Sequence, residues 1–297
     1  MDIGTIKNLL VWVEKEHPKP VRINDTLLDT DQTRELVSYL KKAIALADGL
    51  KGRMEIEDGS GITIIKNYAP IQGNPWQDLD LLKTKLMIHP KDLPYILAYN
   101  QTVGKKKDFN IALHVPPLPY AGNPKAPVVV LLANPGLSDS QRRKSFAAPE
   151  SELSFRMKNL LHEPGFTSNH LIWSEQKGSP PLSKWFTSRT RKLIEATSAK
   201  QVADGIFFAN FHPYHSKSWH NIAFTLPTQH YTFNLIKDSI ARGAIILMSR
   251  NLTGWQTSVP ELLDYKNKTY FKSSRSVHLS PKNLDSKFYK LILNQIN

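Results

Sequence analysis

Three polar side chains stand where apolar runs in the second half of the chain stop: Asn134, Asn210 and His278. Asn134 is the clearest case. Val128–Leu132 is an unbroken apolar run, followed at once by Ala133-Asn134-Pro135-Gly136. A run with no polar alternation suits a strand buried on both faces, as in a parallel sheet. Pro135 has no N–H to continue a ladder, and Gly136 permits a tight backbone. Asn134 therefore falls where a strand becomes a loop. In open α/β sheets, ligands bind in the crevice at the carboxyl ends of the strands. An amide placed there can work on a small molecule or an extruded base. Taken singly, each of the three residues also fits ordinary loop chemistry, an Asn satisfying local backbone or a surface histidine. His212 and His215, with His220 and His230 nearby, invite a metal reading. The i, i+3 spacing can ligate zinc, but no clear carboxylate or cysteine completes the set, so no metal is expected.

The elements that must position these residues can be read from periodicity. Gly205–Asn210 reads as a second buried strand, Ala244–Met248 as a third and Tyr270-Phe271-Lys272 as a fourth. Helices are predicted near Phe155–Leu161, over Leu182–Ala199 and over Thr228–Arg242, the last stopped by Gly243. Asp285 caps a terminal helix that runs to Ile296. In the Leu182–Ala199 helix, Trp185, Leu193 and Ile194 should face inward and Arg189, Arg191 and Lys192 outward. Alternating strands and helices predict an α/β fold: three α/β/α layers around a mainly parallel four-stranded sheet. Upstream, helical patterns at 3–15 and 31–46 and a hairpin near Arg53–Ile65 suggest a separate α+β region. A short helical piece is expected near Leu79–Leu86, while Pro90–Asn100 is ambiguous. Val115-Pro116-Pro117-Leu118-Pro119 and the stretch to Pro127 read as a proline-rich link. The expected organisation is an N-terminal accessory or specificity region, 1–118, and a catalytic domain, 119–297.

Charge sharpens that division. The chain of 297 residues carries a net +13. Residues 1–118 hold 16 basic and 15 acidic side chains, whereas 119–297 hold 23 and 11. The excess lies on the half that carries Asn134, and favours a polyanionic partner such as nucleic acid. There are no cysteines, which excludes disulfides, iron–sulfur clusters and thiolate zinc sites. No apolar run approaches the roughly 20 residues of a membrane span. No signal peptide is read at the start, and a cytoplasmic protein is the simplest expectation.

Leu132-Ala133-Asn134-Pro135-Gly136 resembles the first motif of the uracil-DNA glycosylase superfamily, in its Asn-Pro-Gly form. His278-Leu279-Ser280-Pro281-Lys282-Asn283 resembles its second motif, in the form used by the single-strand-selective monofunctional enzymes. Between them, Phe208-Ala209-Asn210-Phe211-His212-Pro213 is similar to the family's strand ending in Asn with Pro shortly after. The likeness spans residues 119–297 and leaves 1–118 uncovered. Leu132 and Leu279 depart from the family's Gly and Pro.

The resemblance implies a monofunctional DNA glycosylase that flips a pyrimidine, hydrolyses its N-glycosidic bond and leaves an abasic site. Asn134 would position the attacking water, and His278 would donate a hydrogen bond to the pyrimidine O2 as charge develops. Asn210 offers the donor and acceptor needed to read a base edge. Phe146 matches the base-stacking aromatic by position, with Phe155 the alternative. His212 or His215 would touch the substrate, and the aromatics of 207–219 suit the floor and wall of a base pocket. Ser138, Ser280 and Lys282 would grip phosphates, and Arg275 and Lys282 border the loop that would wedge into the duplex. The strict uracil enzymes of the superfamily block a C5 methyl group with a Tyr after the motif-one Pro; here that residue is Gly136. Some anti-phage members excise hypermodified cytosine, and the substrate is expected to be uracil or a C5-modified pyrimidine. The expected partner is DNA, single- or double-stranded, with no membrane, cofactor or obligate protein partner. Competing readings are a catalytically silent DNA-binding protein of the same fold and a histidine-dependent metal nuclease.

Overall fold

The computed structural model describes residues 21–23, 26–28, 71, 73–82, 87–103, 107–142, 147–163, 181–220, 225–273 and 276–297. The helical patterns at 3–15 and 31–46, the 53–65 hairpin, Phe146 and Arg275 lie outside the described residues. Near the start, β1 (Val21–Ile23) and β2 (Thr26–Leu28) pair antiparallel. Then come α1 (Leu93–Val103), β3 (Tyr120–Ala121), β4 (Val128–Leu132), α2 (Glu150–Leu161), α3 (Pro181–Ala196) and α4 (Ala199–Gly205). They are followed by β5 (Ile206–Asn210), α5 (Gln229–Ala241), β6 (Ile245–Met248), α6 (Leu252–Ser258), β7 (Lys268–Tyr270) and α7 (Ser286–Ile296).

The main sheet has five strands in the order β3-β5-β4-β6-β7. The four parallel strands are those expected; the fifth, β3, is a short antiparallel edge against β5. The chain leaves β4 for β5 on one side and then crosses to β6 on the other. That reversal beside the central strand marks the switch point at whose carboxyl ends open α/β sheets bind ligands, and Asn134 follows β4 there. Alternate residues of the buried strands feed two cores. Val129, Leu131, Phe207, Ala209, Ile246 and Met248 face one, with Ile96 of α1, Leu160 of α2, Phe233 and Ile236 of α5 and Trp255 of α6. Val128, Val130, Leu132, Ile206, Phe208, Ile245 and Leu247 face the other, against Phe186 and Leu193 of α3, Val202 of α4 and Ile292 of α7. The fold is therefore an α/β/α sandwich, and the continuous apolar runs are explained by burial on both faces.

Several expectations shift by a few residues for identifiable reasons. The fourth strand is Lys268–Tyr270; Phe271 N still donates to Met248 O at 3.3 Å, and its side chain is buried in the second core. Ser198 interrupts the long helix by capping α4, its side chain accepting from the Gln201 N–H. Of the helical piece expected at Leu79–Leu86, residues 83–86 lie outside the described residues; 79–82 are not helical, and a 3-10 turn forms just before them at Pro75–Asp78, capped by Asn74. The ambiguous 90–100 stretch is α1. Gly243 ends α5 at φ +80, and Asp285 caps α7 by accepting from Lys287 N and Phe288 N. The proline-rich stretch is a buried strap: residues 115–121 are all buried. Trp76, Leu79, Leu93 and Ile96 belong to the same core as Val129 and Phe207, so the described part of 71–118 packs into the 119–297 sandwich. Asp92 locks that packing. Its carboxylate accepts from Tyr214 Oη at 2.7 Å and from Thr228 Oγ1 at 2.6 Å, and burial raises its pKa to about 6. Among the described residues, no helix is long and apolar enough to cross a membrane.

Candidate functional site

The ladder to β6 ends at Leu131, yet the backbone beyond β4 stays joined to the backbone beyond β5. Phe211 N donates to Leu132 O at 3.0 Å and His212 N to Ala133 O at 2.8 Å. Gly136 then bridges Ser216 in parallel. The two loops leave the sheet as one zipped ribbon. Half-buried Asn134 sits in it, and its Nδ2 donates to Ser216 Oγ at 2.8 Å and to Pro135 O at 3.0 Å. Both amide hydrogens are thus engaged, leaving Oδ1 as the acceptor. Ser216 Oγ in turn donates to Ser218 O at 2.9 Å, which fixes the serine that fixes the amide. Ser216 was not legible beforehand: strand register alone would set Tyr214 level with Gly136 and does not foresee the two extra residues that bring Ser216 there.

The same ribbon carries polar atoms that lack partners among the described residues: Asn210 Oδ1, His212 Nε2 and His215 Nε2. Asn210 is buried, its Nδ2 donating to Leu118 O at 2.8 Å. His212 Nδ1 accepts from Tyr214 N at 3.3 Å, so its hydrogen resides on Nε2. His215 contacts Gly136 O through Nδ1 at 2.8 Å, so its Nε2 bears a lone pair. Burial pulls the pKa of each imidazole down to about 3, and the Arg156 charge adds to the effect at His215. Both rings are therefore neutral at physiological pH. Buried polar atoms normally find partners, and a neutral ligand with its own donors and acceptors could complete these. Among the described residues no three His, Asp or Glu side chains gather as a metal site. A Cβ built on Gly136 meets nothing within 4 Å, and the residue is exposed.

His278 belongs to a second arrangement, on the loop between β7 and α7. Asn283 braces this loop from inside, its Nδ2 donating to Ser276 O at 2.6 Å and to His278 O at 3.1 Å. Leu279, where the family has Pro, is fully buried in the second core and donates its N–H to Arg189 O at 2.8 Å. The loop is thereby docked on α3. His278 Nδ1 contacts Ser188 O at 3.1 Å, and its Nε2 contacts Arg189 Nη1. Arg189, expected to face solvent, instead turns along the helix toward the histidine and lies over the Trp185 ring, 5.4 Å from its centroid. A cleft of about 520 Å³ opens here, lined by Ser188, Arg189, Arg191, Lys192 and residues 278–282.

The structure thus brings Asn134, Gly136, His212, His215 and the unforeseen Ser216 together on one ribbon. It brings His278, Ser280 and Lys282 together with the unforeseen Arg189 in one cleft. Asn134 does not line that cleft. Ser138 is engaged in its own turn, with Oγ donating to Gln141 Oε1 at 2.9 Å. Phe155 packs against the second core. In comparisons with known proteins, no family model, no curated protein and no solved structure matches this chain.

Proposed function

We propose that the chain is a monofunctional DNA glycosylase that acts in the cytoplasm on a flipped pyrimidine, uracil or a C5-modified base. The observation that carries this reading is the state of Asn134. Its carboxamide is tethered at Nδ2 to Ser216 and Pro135, and Oδ1 is left to accept at the carboxyl end of the central strand. An acceptor held in that way can orient a water for attack on the sugar, although an amide is too weak a base to do much more. The larger share of the acceleration then comes from charge around the departing base, which the cationic lining of the His278 cleft can supply. Asn210, His212 and His215 contribute neutral donors and acceptors suited to a base edge. Ser280 and Lys282 extend the cationic cleft toward phosphates. The open space over Gly136 favours a substrate with a C5 substituent, as in modified phage DNA.

The deciding experiment is to incubate the protein with uracil-containing, hydroxymethylated and glucosylated DNA, single- and double-stranded, and identify released base by mass spectrometry. A glycosylase yields free base and an alkali-labile site that chelator does not suppress. Direct strand breaks abolished by EDTA would identify a metal nuclease, and retarded DNA without product a binding protein.

A further inference from the structure

Arg189 is a half-buried cation with no carboxylate facing it among the described residues. Of those residues no Asp or Glu lines its cleft, and Arg191, Lys192 and Lys282 line it too. The guanidinium Nε is buried with no acceptor among the described residues. Its stacking on Trp185 and its contact with His278 offset part of the desolvation, which pulls its pKa below the usual arginine range. A cation buried in this manner is completed by an anion.

The contact with His278 has a chemical consequence. A guanidinium only donates, so His278 Nε2 must present its lone pair. The ring hydrogen then resides on Nδ1 and is given to Ser188 O at 3.1 Å. In this tautomer His278 has nothing to donate from Nε2. The group with N–H to spare is Arg189.

Building on the glycosylase reading, we propose that Arg189 is the donor and fixed positive charge that meets the oxygen of the departing base, with His278 as its positioning residue. As the bond from C1′ to the base nitrogen breaks, its electron pair goes to the base and negative charge appears on the carbonyl oxygen. Water adds to C1′ and loses a proton to solvent, from which the base is protonated. Arg189 stays protonated throughout.

The test has two arms on the full chain. One is the imidazole ¹⁵N spectrum of His278, wild type against Arg189→Gln. The other is single-turnover cleavage of uracil- and 5-hydroxymethylcytosine-containing oligonucleotides by wild type, Arg189→Gln, Arg189→Lys and Arg189→Ala, the last with and without added guanidinium. The proposal expects an Nδ1–H imidazole that changes tautomer in Arg189→Gln. It expects a loss of about 10²–10³-fold in rate with DNA affinity held within about threefold. Arg189→Lys and guanidinium should each restore part of the rate. An Nε2–H imidazole in the wild type alongside base release would overturn this proposal and leave the glycosylase reading standing. Equal losses of rate and affinity would make Arg189 a phosphate contact and overturn it as well. An Nδ1–H imidazole with no base released from either oligonucleotide by the wild type would remove the leaving-group role together with the glycosylase reading.

Discussion

The Asn134 ribbon and the His278 cleft solve opposite electrostatic problems. The ribbon is neutral and, apart from half-buried Asn134 and exposed Gly136, largely buried. Its polar atoms are aimed by backbone zipped past the sheet, and its two histidines are held uncharged by desolvation. The cleft is open and cationic, and it is assembled by docking a loop on one face of α3. A neutral, rigid region suits positioning and reading, where misplacement costs most. A cationic, accessible one suits a polyanion and developing negative charge. On the proposed reading, positioning and charge stabilisation fall to different elements, so variants should separate them.

The largest effect is expected at Asn134. Asn134→Ala leaves Ser216 Oγ and the Pro135 carbonyl in place but removes the aimed acceptor together with the Nδ2 bonds that tether it. Single-turnover base release should fall by about 10³-fold or more, a barrier increase of about 4 kcal/mol. DNA affinity should stay near that of the wild type, because the interaction is made in the transition state. A wild-type cleavage rate in Asn134→Ala would end the assignment of this ribbon as the reacting centre.

Acid should damage the neutral region before the cationic one. Burial lowers the pKa of His212 and His215 to about 3 and of His89 and His162 to about 4. Unfolded histidines titrate near 6.5, so between that pH and the folded values the unfolded chain binds more protons. Stability contributed by these residues is full above about pH 6.5 and is lost as pH falls toward 4. Asp92 works the other way. Its raised pKa, about 6, makes its contribution full below about 4 and lost as pH rises through 6. Four histidines against one aspartate give a net loss on acidification. Thermal midpoints measured from pH 7 to pH 4.5 should fall, and His215→Asn, which keeps a donor for Gly136 O, should flatten the dependence. A flat profile in the wild type would show that the ribbon is hydrated rather than dry.

The contrast between the regions also explains what could be read in the residues themselves. β4, β5 and β6 were visible because strands buried on both faces must be apolar throughout. Gly243 and Asp285 were visible because a helix stop at positive φ and an N-terminal cap are local chemistry. Asn134 and His278 were visible by type and position. Ser216 and Arg189 were hidden because their roles depend on long-range placement: an irregular loop in one case, docking between loop and helix in the other. The 115–119 stretch looked like a linker since proline marks turns, but here the prolines face a core that only the tertiary packing reveals. Helix α6 escaped notice because it starts at Asn251 in a left-handed conformation, without a side-chain cap bond.

The ribbon can be probed more gently on either side of Asn134. Gly136→Tyr should fold, since φ is not positive there and a Cβ meets no neighbour. It should reduce cleavage of C5-modified pyrimidines relative to uracil by about 10-fold or more, the scale of 1–3 kcal/mol of steric conflict. An unchanged preference in the folded variant would mean that residue 136 does not face C5. Ser216→Ala should cost less. Asn134 keeps its bond to Pro135 O and loses one of about 1 kcal/mol, so the rate should drop about fivefold. A loss as large as that of Asn134→Ala would make the serine a participant in the reaction rather than its support.

The smallest effect belongs to the cleft and concerns binding alone. Lys282 lines it, is exposed and makes no ion pair among the described residues. Lys200 is equally basic but pairs with Asp204 at 2.6 Å on α4, away from the cleft. If the cleft tracks phosphates, Lys282→Ala should reduce the slope of log K against log salt by about 0.7–0.9, the share of one released counterion. Lys200→Ala should leave the slope unchanged. Cleavage at saturating DNA should be the same in both, because neither side chain meets the reacting atoms. Equal slopes for the two variants would mean that the positive charge of residues 119–297 acts as a diffuse field. The division between a reading ribbon and a gripping cleft would then lose its second half, while the role of Asn134 would be untouched.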